Sequence, residues 1–160
     1  MQKLHFVLSD LVAEEAAAAF ADHERRIHER LPNVEIGHIG GTSVLGVLTS
    51  GDVDLQVRTD RRSFPSARDV LCELYEPLYP EAWHSDSAYF VAADASPPVE
   101  VALTVIGRLD DLHHGPAWRR LAADPGLLEE YNALKLAHEG GSADEYNAAK
   151  RYFFHGNFRL

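Results

Sequence analysis

Two aspartates one residue apart, a lone glutamate further on and a glycine-rich turn carry the chemistry legible in this 160-residue chain. The aspartates are Asp52 and Asp54, the glutamate is Glu100, and the turn is Gly40-Gly41-Thr42-Ser43. Alternation along a strand from Asp52 to Val57 puts Asp52, Asp54 and Gln56 on one face and Val53, Leu55 and Val57 on the other. Two carboxylates side by side repel unless something neutralises them, and hard oxygen ligands suit Mg2+ or Mn2+. A second reading stays open for a bare Asp-x-Asp, in which Asp52 sits solvated in the Gly51 turn and only Asp54 points inward. Ahead of the acids, the apolar run Val34, Ile36, Ile39 stops at Gly40-Gly41, where the missing Cβ atoms allow a sharp turn and a close approach to a ligand. Thr42 or Ser43 can cap a short helix whose first N–H groups seat a phosphate. A phosphate seat and a metal seat on adjacent strands are the two halves of a nucleoside triphosphate site.

Glu100 is the only charged residue among the eight from Val99 to Ile106, and an acid on so apolar a strand needs a reason. Two lysines are further candidates. Glu130-Tyr-Asn-Ala-Leu-Lys135 is echoed by Glu145-Tyr-Asn-Ala-Ala-Lys150, and each copy places a Tyr and a Lys one helical turn apart. Lys135 and Lys150 then either border a nucleotide pocket or snorkel from a helix seam in which Tyr131 and Tyr146 pack.

Gly40-Gly41, a ten-residue gap and Asp52-x-Asp54 resemble the signature of the polymerase-beta-like nucleotidyltransferase superfamily. The string from His38 to Gly46, with the Tyr-x-x-x-Lys pairs near the end of the chain, resembles more narrowly the GrpB (UPF0157-type) family within it. The resemblance implies that Glu100, in the triplet Val99-Glu100-Val101, is the third carboxylate on a strand beside the Asp-x-Asp strand. An edge-strand glutamate facing water is the plainer alternative. The chain departs from the family pattern at Gly41, Leu45 and Ser50-Gly51, where Ser, Pro and Lys-Pro are usual, and it lacks the Arg and His residues usual along the Glu100 strand. It keeps Asp52 where many members carry an aliphatic residue.

The elements that must position these groups follow from periodicity. One domain is expected at this length, 1–160, with an α/β core over 1–110 and a helical part over 111–160. Ser9-Asp10 reads as an N-cap for a helix whose inner face is Val12, Ala16, Phe20, His23, Ile27 and Leu31. A second helix starts at Ser63-Phe64-Pro65, with Leu78 on its inner face. Residues 88–92 and 99–106 read as an antiparallel hairpin. From His113 onward the pattern is helical, and Ser142-Ala-Asp-Glu145 reads as a capping box. The expected fold is thus α/β, a nucleotidyltransferase-like mixed sheet of about four strands with flanking helices and a helical C-terminal part.

A formal net charge of −10, from 25 acids and 15 bases, disfavours nucleic acid as a partner but suits a small metal-borne nucleotide. One cysteine, Cys72, excludes an intramolecular disulfide, and no apolar run reaches membrane-spanning length, so a cytoplasmic monomer or weak homodimer is expected. The function implied is transfer of a nucleotidyl group from a nucleoside triphosphate to a hydroxyl of a small-molecule or protein acceptor. Asp52, Asp54 and Glu100 would hold Mg2+ or Mn2+, and Gly40, Gly41, Thr42, Ser43, Lys135 and Lys150 would hold the nucleotide. Two other readings compete: a nucleotide-binding module without transfer, and a partner protein docking through Trp118, Tyr131, Tyr146, Phe153, Phe154 and Phe158.

Overall fold

A computed structural model describes residues 3–158. A short strand β1 (Val7–Leu8) leads into a 3-10 turn at Ser9–Val12 and then α1 (Ala13–Arg30). The Ser9-Asp10 pair does not cap α1 as its sequence suggests. Ser9 is buried with its hydroxyl donating to the Val44 carbonyl at 2.6 Å, and the Asp10 carboxylate accepts the Gly46 N–H at 2.7 Å. Both side chains tie the N-terminal segment to the loop after the glycine turn. Glu14 and Glu15 in the first turn of α1 and His28 and Arg30 in the last complement its dipole. Ala16, His23 and Ile27 are buried, with Phe20 and Leu31 packed beside them.

The chain continues through β2 (Glu35–Ile39), the 3-10 turn Gly41–Ser43, β3 (Leu48–Thr49) and β4 (Val53–Thr59). Next come α2 (Phe64–Leu74), β5 (Glu76–Leu78), β6 (Ser87–Ala92) and β7 (Val99–Val105). β1 and β3 form a small antiparallel ladder, and the main sheet has the order β2-β4-β7-β6-β5. Only β4 and β7 run parallel in that sheet; its other pairings are antiparallel. The expected hairpin is present as β6 and β7. Leu78, however, lies in β5 rather than on α2, because Pro77 cannot donate a helical hydrogen bond and is tolerated on an edge strand.

Alternation along β4 and β7 divides the sheet into two chemistries. Val53, Leu55, Val57, Val99, Val101 and Leu103 are buried in a core shared with α1 and α2. Full burial of each such side chain stabilises the fold by about 1.5–3 kcal/mol. Asp54, Gln56, Arg58, Glu100, Ala102 and Thr104 lie on the opposite face, partly covered by α3 (Leu109–Ala123). α4 (Pro125–Ala137) and α5 (Ala143–Phe158) complete the helical part. Asp124 caps α4 by accepting the Leu127 N–H, while Ser142 accepts the Asp144 N–H ahead of α5. Val44, Val47, Leu121, Leu127, Tyr131 and Phe153 form a second buried cluster, against which Trp118, Phe154 and Phe158 pack. Tyr146 is also buried, so of the aromatics expected to form a docking patch Tyr131, Tyr146 and Phe153 lie inside the fold, while Trp118, Phe154 and Phe158 pack beside them half-buried. No described helix is long and apolar enough to cross a membrane.

Candidate active site

β4 carries Asp54 as the second residue of its ladder, where its Cα partners are Ile39 of β2 and Glu100 of β7. The parallel pairing therefore places the two acids opposite each other on the polar face. Asp52 lies one residue before β4 begins, so the expectation of a strand position for it fails. It is half-buried beside the Gly51 bend and still lines the same cleft as Asp54 and Glu100. Thr42 fixes this approach: its hydroxyl donates to the Asp52 carbonyl at 3.1 Å. That leaves the Thr42 oxygen to accept from His38 Nε2 at 2.9 Å, and burial lowers the His38 pKa, keeping the imidazole neutral for this role.

The glycine turn is built around Asp54. Gly40 has φ +79°, a left-handed conformation natural to glycine, and a Cβ on it would overlap the Asp54 carboxylate. Gly41 is less exacting, since a Cβ there would press on the Thr49 side chain at 3.0–3.1 Å. The hydroxyls behind these glycines are already engaged, Thr42 as described and Ser43 by donating to the Gly40 carbonyl. Neither hydroxyl is held out toward the cleft as a phosphate ligand. The turn can offer a phosphate its backbone instead.

Burial pushes the Asp54 pKa up to about 7, and the neighbouring Glu100 charge adds to the push. Asp52 and Glu100 are raised as well, each chiefly by lost hydration, although Glu100 remains open to solvent at the mouth of the cleft. Lys150 opposes the shift in all three acids and stands over the Trp118 ring at 5.9 Å. Lys135 behaves differently from its sequence echo. It is buried, donates to the Leu48 carbonyl, and lies over the rings of Tyr131, Phe6 and Tyr146 at 4.7, 5.3 and 6.0 Å. Desolvation brings its pKa down to about 7. Its ammonium holds β3 onto α4 and is buried rather than snorkelling to water.

The acids sit where two lobes of one cleft meet. A lobe of about 970 Å³ reaches Gly41, Ser50, Asp52 and Lys135, and one of about 530 Å³ reaches Leu78, Ala82, Tyr89 and Ala102. Asp54, Glu100, Tyr79, His114, Trp118 and Lys150 line both. Behind them a polar network fixes α3 on the sheet. The fully buried Asp111 carboxylate accepts from Arg58 Nε and Nη2 at 2.7 and 2.8 Å, from Thr104 at 2.9 Å and from the Gly107 N–H at 2.9 Å. Gln56 Nε2 joins it at 3.1 Å. The alternation that singled out Asp54 also places Gln56 and Arg58 on its face, but nothing local marks Asp111 as their partner. Tyr79 is another residue missed by sequence reasoning. It adopts φ 49°, ψ 53° immediately before Pro80, a left-handed conformation costing about 1–3 kcal/mol for a bulky residue, and it is 61% exposed in the cleft.

Among the described residues no three His, Cys, Asp or Glu side chains stand as a ready-made metal ligand set. The donor chemistry nevertheless fits a hard divalent cation: three carboxylates border one cleft, and two face each other at a cost that a cation would remove.

A mixed sheet with paired acids under a glycine turn defines the nucleotidyltransferase fold class. Solved structures agree: Cid1 poly(U) polymerase with Mg and 3'-dATP bound matches at TM-score 0.54 and 16% identity, over 77% of this chain and 40% of that one. Its MgGTP-bound form matches at 0.52 and 17%, over 77% and 41%. The chain belongs to the GrpB protein family, whose family model matches residues 12–158. GrpB from Enterococcus faecalis superposes at TM-score 0.69 with 18% identity, over 88% of this chain and 91% of that one. A UPF0157 protein of Vibrio cholerae is 24% identical over 151 residues, which are 94% of this chain and 79% of the relative.

Proposed function

We propose that this chain transfers a nucleotidyl group from a nucleoside triphosphate to a hydroxyl of a small-molecule or protein acceptor, with Mg2+ or Mn2+ as cofactor. The observation that carries the reading is the Asp54–Glu100 pairing across β4 and β7, directly beneath a glycine that only a missing Cβ allows to close on Asp54. Asp52, Asp54 and Glu100 would hold the cation, which when bound supplies charge neutralisation on the phosphates and polarisation of the reacting oxygens. The backbone of the Gly40–Ser43 turn borders the triphosphate, and Lys150 offsets its charge from the opposite wall. The acceptor oxygen forms a bond to the α phosphorus as the bond to the bridging oxygen breaks and pyrophosphate leaves. Glu100 would take the acceptor proton, a role supported by its opening at the cleft mouth and its raised pKa.

The binding-module reading draws on one observation, the withdrawal of Lys135 into its aromatic surroundings, which leaves fewer cations for phosphate. Calorimetry with ATP, GTP, CTP and UTP plus Mg2+, followed by a pyrophosphate-release assay with candidate acceptors, separates the two. Tight binding with metal-dependent pyrophosphate release that is lost in Asp54→Asn supports the enzyme. Binding without release supports the module, and no binding of any triphosphate overturns both.

A further inference from the structure

The smaller lobe of the cleft differs from the acid end in a way that the phosphates and acceptor do not require. Leu78, Ala82, Tyr89 and Ala102 line it with Glu81 and Arg151 beside them, and Tyr79 and Trp118 stand where it meets the acids. Tyr79 is a large aromatic left mostly exposed, which costs contact with water, and its backbone is held left-handed ahead of a proline. The following turn holds this posture, for the Ala82 N–H donates to the Tyr79 carbonyl at 2.8 Å. Strain of this kind persists where the surroundings over-determine it, and at the edge of a cleft that points to a ligand. Trp118 is fixed from behind by Tyr131 and Phe154, with ring centroids at 5.8 and 5.4 Å, so the rim of the lobe offers a rigid aromatic surface.

We propose that Tyr79 and Trp118 form the base-binding part of the site, taking the heterocycle of a purine nucleoside triphosphate into the smaller lobe. The inference rests on the nucleotidyltransferase reading and adds where the base goes and which class of base it is. The arrangement follows from the cleft itself. A triphosphate along the larger lobe, past Gly41 and Ser50, puts its α phosphorus at Asp54 and Glu100, and the nucleoside then continues into the smaller lobe, against its aromatic and aliphatic side chains. Every base has a π face, so stacking tolerates sequence, but a purine presents the larger face and gains more from two aromatic walls. The exposed ring of Tyr79 is then covered, and the cost of its posture is offset when ligand is bound.

The test compares Mg2+ complexes of ATP, GTP, CTP and UTP with Mg2+ tripolyphosphate, which has no base, by calorimetry on the wild type, Tyr79→Asn and Tyr79→Phe. Asn tolerates the left-handed backbone and removes the ring, so folding is preserved, while Phe keeps the ring and drops only the hydroxyl. Expected are purine triphosphates bound more tightly than pyrimidine ones, an affinity for ATP and GTP roughly ten- to a hundredfold weaker in Tyr79→Asn, and near-wild-type binding in Tyr79→Phe. Tripolyphosphate should bind the three proteins alike. If Tyr79→Asn binds ATP as the wild type does while tripolyphosphate still binds, the stacking proposal is overturned and the nucleotidyltransferase reading stands. If the wild type binds neither triphosphate nor tripolyphosphate, that reading is overturned and the stacking proposal with it.

Discussion

Replacing Asp54 by Asn should stabilise the metal-free protein, and the size of the gain should depend on pH. The Asp54 carboxyl is moved from 3.8 to about 7 by burial and by the Glu100 charge across the ladder. At about 1.4 kcal/mol for each tenfold, ionising it in the folded state costs about 4 kcal/mol more than ionising it in the unfolded chain. The sign follows from proton binding: the folded state holds the proton more tightly, so this contribution is fully present below about pH 4 and is lost as pH rises through about 7. An amide keeps the shape and cannot ionise. Urea unfolding in EDTA should therefore show Asp54→Asn more stable than wild type by about 2–4 kcal/mol at pH 8, shrinking to under about 1 kcal/mol at pH 4. Mg2+ or Mn2+ added at pH 8 should stabilise the wild type and leave Asp54→Asn unmoved. A variant no more stable than wild type at pH 8, or a gain equal at both pH values, would refute the claim that repulsion and burial are concentrated on this carboxyl.

Gly40→Ala forces a left-handed alanine whose Cβ overlaps the Asp54 carboxylate, so thermal unfolding should show a loss of at least about 1 kcal/mol, with triphosphate binding lost at temperatures where the fold persists. Gly41→Ser should be milder on both measures, because the Thr49 side chain can shift where the Gly40 surroundings cannot. Asp111→Ala leaves the part-buried Arg58 without its bidentate partner and should cost about 3–5 kcal/mol in urea unfolding; a loss below 1 kcal/mol would show that the network does not anchor α3.

Strand alternation told much of the site in advance, because a period of two is a local property that tertiary structure seldom overrides. It separated Asp54 and Gln56 from Val53, Leu55 and Val57, while Arg58, past the expected strand end at Val57, is carried on β4 by the structure; an isolated Glu100 in an apolar run marked a strand whose polar face had a use. What stayed hidden depended on distant partners. Ser9, Thr42 and Ser43 have the residue types of helix caps or anion ligands, but each hydroxyl found a closer acceptor, the carbonyls of Val44, Asp52 and Gly40. Lys135 and Lys150 read alike in their repeated hexapeptides, and only the packing of α4 against β3 ties the Lys135 ammonium to the Leu48 carbonyl in the wall of the larger lobe, while Lys150 lines both lobes. Tyr79 gives no sequence signal at all, since a tyrosine before a proline predicts extended backbone.

The parallel pairing of β4 and β7 also bears on how quickly this protein reaches its native state. Between Asp54 and Glu100 the chain must lay down α2, β5 and β6, and the β6–β7 hairpin, being local, can form well before β7 meets β4. Closing so long a loop comes before the reward of the contact, and here the contact brings two acids together as well. The repulsion stored at the cleft therefore acts as a brake on the last docking of the sheet. A chain relieved of it by Asp54→Asn should refold faster where that docking limits the rate, and should unfold more slowly where it does not.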